Sequence, residues 1–207
     1  MIDTSSLFRG IISGERCRSH AEVADRAARI AGGLQRLGVR QGDSVCILMR
    51  NDIAFIEAAY AAMRVGAYAV PVNWHFKPEE VAYVLGDSGT RVLIGHADML
   101  HPLRDAIPAR ITVLSAPTPP EILTHYRIDP DHLATPGFAT DLEAWLAQQR
   151  PYDGPMLPQP PDVGAMLYQT SNTVESEKAR NFSRRRESTG RRPAPDRERI
   201  SASRLNS

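Results

Sequence analysis

The chain has little cysteine and no long apolar run, and each shortage removes a class of protein. Two cysteines in 207 residues, Cys17 and Cys46, stand far apart with no CxxC spacing and no third ligand nearby. A disulfide framework or a cysteine metal site is therefore not expected. Cys46 lies inside Val45-Cys46-Ile47-Leu48-Met49 and reads as a small buried hydrophobe. The most apolar stretch, Ala54 to Val72, is broken by Glu57 and Arg64 and ends on Pro71. A membrane-spanning helix needs roughly 20 mostly apolar residues, so this stretch reads as a helix followed by a strand. No basic region followed by an apolar stretch opens the sequence, so no secretory signal is expected and the chain is placed in the cytoplasm. Charge of one sign is also lacking, with a formal net charge of +1.

That balance hides an uneven distribution. From Ser176 to Ser207 there are ten Lys/Arg and four Asp/Glu, while the rest of the chain carries 15 positive and 20 negative charges. Arg184-Arg185-Arg186, Arg191-Arg192 and Arg197-Glu198-Arg199 sit among Ser, Pro and Gly with almost no apolar period. The expectation is a folded body over residues 1–173 and a basic, disordered tail over 174–207. The tail could hold phosphate backbones or acidic lipids. Without interleaved aromatics, a solvated segment with no nucleic-acid partner is the preferred reading.

The body alternates helix and strand. Ser19-His20-Ala21-Glu22 fits a capping box, and Val23, Ala27, Ile30, Ala31, Leu34 and Leu37 then recur at helical spacing up to Gly38. Gly32-Gly33 inside that helix costs about 1 kcal/mol per glycine relative to Ala, which points to close packing against a neighbour. A strand over Ser44–Met49 follows the turn Gln41-Gly42-Asp43. Asn51 is expected to cap a helix running from Asp52 to Val65, and Gly66 to end it. Next come a strand over Ala67–Val72 and a helix opened by Lys77-Pro78-Glu79-Glu80. A strand over Arg91–Ile94, a helix over Ala97–Ala106 and a strand over Ile111–Leu114 complete the regular pattern. Ala116–Gly137 reads as Pro-rich linker, Phe138–Gln149 as an amphipathic helix, Tyr152–Pro161 as extended and Val163–Tyr168 as a last strand. The fold class is α/β, with a mostly parallel sheet flanked by helices.

Several chemistry-bearing residues have bland readings. His75 beside Trp74 is read as surface or packing, not as a base. Glu79-Glu80 are adjacent on a helix and do not face each other, so they are helix-dipole acids. His96 and His101 are five apart without a third ligand, and no metal site is expected. No strand is followed by GxGxxG, which disfavours dehydrogenase-type dinucleotide binding.

Leu37-Gly38-Val39-Arg40-Gln41-Gly42-Asp43-Ser44-Val45, Asn51-Asp52-Ile53-Ala54-Phe55-Ile56-Glu57-Ala58 and Gly66-Ala67-Tyr68-Ala69-Val70-Pro71-Val72-Asn73 follow one another in order. Pro78-Glu79-Glu80-Val81-Ala82-Tyr83-Val84-Leu85, Asp87-Ser88-Gly89 and Arg91-Val92-Leu93-Ile94 continue the series. Their order and spacing resemble the N-terminal part of the adenylate-forming (AMP-binding) superfamily, and fatty-acid–CoA ligases within it. The resemblance implies an incomplete layered domain of that fold. It also implies the family reaction, in which ATP activates a carboxylate such as a fatty acid to an acyl-adenylate before thioester formation with CoA. ATP, Mg2+ and CoA are the implied cofactors of the intact family.

In that family a strand ending Tyr-Thr-Ser leads into a loop that reads roughly Gly-Thr-Thr-Gly-x-Pro-Lys-Gly and cradles phosphates. Here the strand ends Leu167-Tyr168-Gln169-Thr170-Ser171. Thr170, Ser171, Thr173 and Lys178 are the candidate cofactor-binding residues, as remnants of that loop; otherwise they are arbitrary residues of a fortuitous tail. Asn172 and Glu175 stand at the glycine positions, Val174 at a Thr and Glu177 at the proline. Side chains there block the backbone from approaching a phosphate. A carboxylate at ~4 Å from the triphosphate costs about 4 kcal/mol at an effective dielectric of ~20, roughly a thousandfold in affinity. This chain is expected to bind none of these cofactors and to have no catalytic residues of its own. It reads as a truncated, inactive fragment of the ligase, left by a frame shift or a chimeric end near Tyr168. Two other roles stay open: association with an intact ligase through an exposed face, and nucleic-acid binding by the tail.

Overall fold

The computed structural model describes residues 9–158, and the expected strand over Val163–Tyr168 and the tail lie outside them. The described chain opens with an antiparallel hairpin of β1 (Gly10–Ser13) and β2 (Arg16–Ser19), which the sequence reading left out. Its turn is built on Gly14 at φ +60, a conformation that side chains rarely adopt.

Helix α1 (His20–Arg36) starts on the expected capping box, with Ser19 accepting from the Glu22 N–H and Glu22 accepting from the Ser19 N–H. The helix stops before Gly38, at φ +82. Strand β3 (Ser44–Leu48) is buried along its whole length. Helix α2 spans Ile53–Arg64, and its N-cap is Asp52, not Asn51. Both are good cap residues, but the Asp52 carboxylate has partners inside the fold, described below. Strand β4 (Tyr68–Pro71), helix α3 (Pro78–Asp87) and strand β5 (Val92–His96) lie where alternation placed them. Helix α4 is shorter than expected, Ala97–Leu100, and tightens into a 3-10 turn at His101–Leu103. Pro102 interrupts the α pattern there.

After β6 (Thr112–Ala116) the structure corrects the reading of a plain linker. Pro119-Pro120 opens helix α5 (Pro120–Tyr126), and a 3-10 turn follows at Pro130–His132. Proline marks a first helical turn as readily as a loop, because the N–H it lacks would have no partner there. The expected helix over Phe138–Gln149 is shorter. Thr140–Asp141 pair with β6 as the short strand β7, and α6 runs over Leu142–Ala147 with Asp141 as its cap.

The five strands form one sheet in the order β4-β3-β5-β6-β7, every pair parallel. Side chains alternate across it. Val45, Ile47, Val92, Ile94 and Leu114 face α1, α2 and α6, while Cys46, Leu48, Leu93 and Val113 face α3 and α4. The two glycines of α1 do mark a close approach. A Cβ on Gly32 would lie 2.2 Å from the Arg150 carbonyl oxygen, and one on Gly33 would lie 2.2 Å from the Trp145 ring. Residues 145–152 therefore lie directly on α1, where the Tyr152 N–H donates to the Ala28 carbonyl at 2.7 Å.

Candidate functional site

From β3 the chain turns to α2 on one face of the sheet, whereas from β4 and β5, on either side of β3, it turns to α3 and α4 on the other. Loops diverging in this way leave a crevice beyond the carboxyl ends of the strands, the usual ligand position in such sheets. Arg50 and Asn51 follow β3, Trp74 follows β4, His96 ends β5, and α5 closes the side. A cleft of about 480 Å³ opens there, lined by Arg50, Asn51, Trp74, Glu121, His125 and Tyr126 among others.

Two ion-pair networks organise the crevice. Arg50 Nη1 donates to Asp98 Oδ2 at 2.8 Å, and the Thr118 hydroxyl donates to Asp98 Oδ1 at 2.6 Å. The Arg50 guanidinium carbon lies 4.6 Å from the Tyr126 ring centre and 5.2 Å from that of Trp74. In the second network, Arg16 joins the Asp52 and Glu121 carboxylates, and so ties the hairpin to α2 and α5. His96 is wholly buried, with Nε2 3.4 Å from Asp52 Oδ2.

Burial pushes the Asp52 carboxyl up, but contacts from His96 and Arg16, with the Ile53 N–H, outweigh it and bring it from 3.8 down to about 2. A carboxyl that titrates lower folded than unfolded stabilises the fold above its unfolded value, and that contribution disappears as pH falls through the folded one. The shift is worth about 2 kcal/mol. Asp52→Asn should therefore be less stable than the parent by about that amount at neutral pH, with the gap closing as pH drops from ~4 towards ~2. Denaturant titrations across that range measure it; no gap at neutral pH would show that Asp52 acts only as a helix cap, a role that Asn fills equally well.

Of the residues singled out in the sequence, His75 is exposed with its ring 3.5 Å from that of Trp74. Glu80 accepts from the Lys77 N–H at the start of α3, a helix-end role. His96 and His101 do not share a site: His101 bonds the Ala134 carbonyl and stacks on His132. Among the described residues no group of three metal-ligating side chains occurs, and no helix is long and apolar enough to cross a membrane. Thr170, Ser171, Thr173 and Lys178 lie outside the described residues. Around the crevice Arg16 pairs with Asp52 and Glu121, and Arg50 with Asp98.

Residues 7–173 match the model of the AMP-binding enzyme family, and the chain belongs to that family. It is 39% identical over 92 residues to the long-chain-fatty-acid–CoA ligase FadD13 of Mycobacterium tuberculosis, covering 44% of this chain and 18% of that one. It is 41% identical over 81 residues to a feruloyl-CoA synthase of Amycolatopsis, covering 39% of this chain and 16% of that one. The fold resembles that of a benzoate CoA ligase from Burkholderia xenovorans, with a TM-score of 0.58 at 20% identity, over 71% of this chain and 26% of that one. The chain thus matches less than a fifth of the length of these curated relatives, in their N-terminal part.

Proposed function

We propose that this chain is the N-terminal portion of an AMP-forming carboxylate–CoA ligase, and that the 207-residue polypeptide does not adenylate an acid by itself. The observation that carries the reading is the family match running to Thr173, into a loop whose glycine positions hold Asn172 and Glu175. That end point also supports a division at residues 173 and 174 between body and basic tail. The parent reaction would use ATP, Mg2+ and CoA, co-substrates found inside cells, which favours a cytoplasmic home. Fatty and aromatic acids are the substrate classes in the names of its relatives. Thr170, Ser171, Thr173 and Lys178 would be what remains of the triphosphate loop.

Purified chain should show no pyrophosphate exchange into ATP with either a fatty or an aromatic acid, and no magnesium-dependent ATP binding at micromolar concentration. Exchange above background would overturn the reading.

A second role, association with an intact ligase, is favoured by α2. Its outer face leaves Tyr60 and Met63 exposed on a helix whose charged residues are Glu57 and Arg64 alone. A helix apolar all round is normally covered on both sides. Chain that runs as a monodisperse monomer and fails to co-purify with a full-length homologue would count against this role.

A further inference from the structure

Helix α2 carries two buried carboxylates, Asp52 at its cap and Glu57 within it, and each takes an arginine from β2. Arg18 reaches Glu57, while Arg16 reaches Asp52 and, on α5, Glu121. Each carboxylate also has a second partner that does not belong to the hairpin. For Glu57 it is Arg26 of α1, which is always charged. For Asp52 it is the wholly buried His96 of β5, a residue type whose charge depends on pH. We propose that the β1–β2 hairpin is a strap beside the strand-end cleft whose hold is set by His96, firm while the imidazole is neutral and loose once it carries a proton. The proposal does not rest on the ligase reading, since none of these groups belongs to the phosphate loop.

Counter-charge decides how firmly the hairpin holds. Asp52 Oδ1 accepts from the Ile53 N–H and from Arg16, while Oδ2 faces His96 Nε2 at 3.4 Å. That distance is long for a hydrogen bond, and neither ring nitrogen of His96 has a partner among the described residues. A neutral imidazole leaves Arg16 as the cation on a buried carboxylate, and lifting the hairpin strands that charge at high cost. An imidazolium would close on Oδ2 with a charge-assisted bond. Asp52 would then keep a cation when Arg16 leaves with the hairpin, as Glu57 keeps Arg26. Asp52 stays ionised throughout this range, because its carboxyl titrates at about 2.

The other charged groups around His96 already have partners. Arg50 after β3 and Asp98 of α4 pair with each other. Asp141, beside β6, caps α6 and accepts from Thr135. Glu121 shares Arg16 and does not reach the imidazole except through it. Ser13 of β1 lines the cleft together with Glu121, so lifting the strap opens that side of it.

Amide hydrogen exchange over residues 10–19 of the 207-residue chain measures hairpin opening. Rates divided by those of an unstructured peptide at the same pH should show about tenfold more opening at pH ~5.5 than at ~7.5. His96→Gln has no titrating ring and should abolish the difference. His20→Gln and His125→Gln alter exposed imidazoles next to the hairpin and on α5, and should preserve it. Arg16→Gln removes the cation that the imidazolium replaces, so its hairpin should open equally at both pH values. Arg16 is part-exposed, which keeps this arm readable even where the buried His96 variant fails to fold. Opening in the parent that does not change with pH would overturn the proposal. So would a pH effect that survives in His96→Gln or Arg16→Gln, or one that disappears in His20→Gln or His125→Gln.

Discussion

Glu57→Ala should cost the fold about 3–5 kcal/mol, the scale expected when one partner is removed from a buried ion-pair cluster. Glu57 has no exposed surface, and its two carboxylate oxygens take Arg18 from β2 and Arg26 from α1. Arg26 extends the cluster to Glu143 of α6, so one carboxylate in α2 ties together four elements. Without it two guanidinium groups, each less than a third exposed, lose a counter-charge they cannot fully replace with water. Typical domains have only about 5–15 kcal/mol in total, so the variant should unfold at much lower denaturant concentration.

Two companions separate charge from volume. Glu57→Met fills the space and should cost less than Glu57→Ala. Glu143→Gln removes the outer carboxylate, which is 44% exposed, and should cost no more than about 1 kcal/mol. Denaturant unfolding of the three variants measures the order. A Glu57→Ala cost below that of Glu143→Gln would show that the buried cluster contributes nothing net.

Glu57 also shows where sequence reading runs out. In the sequence it is one charge breaking an apolar run, enough to argue against a membrane span and no more. Its partners lie 39, 31 and, through Arg26, a further 117 residues away along the chain. The same holds for Asp52. Asn51 and Asp52 are equivalent as caps by residue type, and what selects Asp52 is Arg16 and His96, which only the tertiary fold brings near. Local signals were legible where one residue type answers one backbone need. Ser19 with Glu22 fixes the start of α1, Gly38 its end, and the alternation of short apolar runs with helical periods gives the parallel sheet.

The hairpin was missed because its strands are four residues each and Arg16-Cys17-Arg18-Ser19 shows no apolar face. Gly14-Glu15 between them was the available signal, a glycine at the first position of a two-residue turn. Helix α5 was hidden by its own prolines. The cleft was not legible at all: Arg50 and Tyr126 are 76 positions apart, and Trp74 stood out only as the neighbour of His75. Thr170, Ser171, Thr173 and Lys178 were singled out by family resemblance alone, since no local backbone need selects them.

Gly32→Ala should destabilise the fold by about 3 kcal/mol, although alanine is the better helix former. The propensity gain is about 1 kcal/mol. Against it stands a Cβ at 2.2 Å from the Arg150 carbonyl oxygen, with the Tyr152 nitrogen and the Pro151 carbonyl carbon also within 3.3 Å. These are backbone atoms, so no rotamer change relieves the overlap, and the segment over residues 149–152 must lift from α1. Overpacking of this kind costs roughly 1–3 kcal/mol. Lifting also strains the Tyr152–Ala28 hydrogen bond and the contacts of Arg29 and Arg36 with Gln149, at about 1 kcal/mol each. The clash therefore outweighs the propensity gain. Gly38→Ala is the control with the opposite geometry. Its Cβ meets nothing within 4 Å, and its cost comes only from φ +82, about 1–2 kcal/mol. Thermal or denaturant unfolding should rank Gly32→Ala below Gly38→Ala, and limited proteolysis should cut the Gly32 variant faster between residues 149 and 158. A Gly32→Ala chain as stable as the parent would mean that residues 145–152 do not rest on α1 in solution.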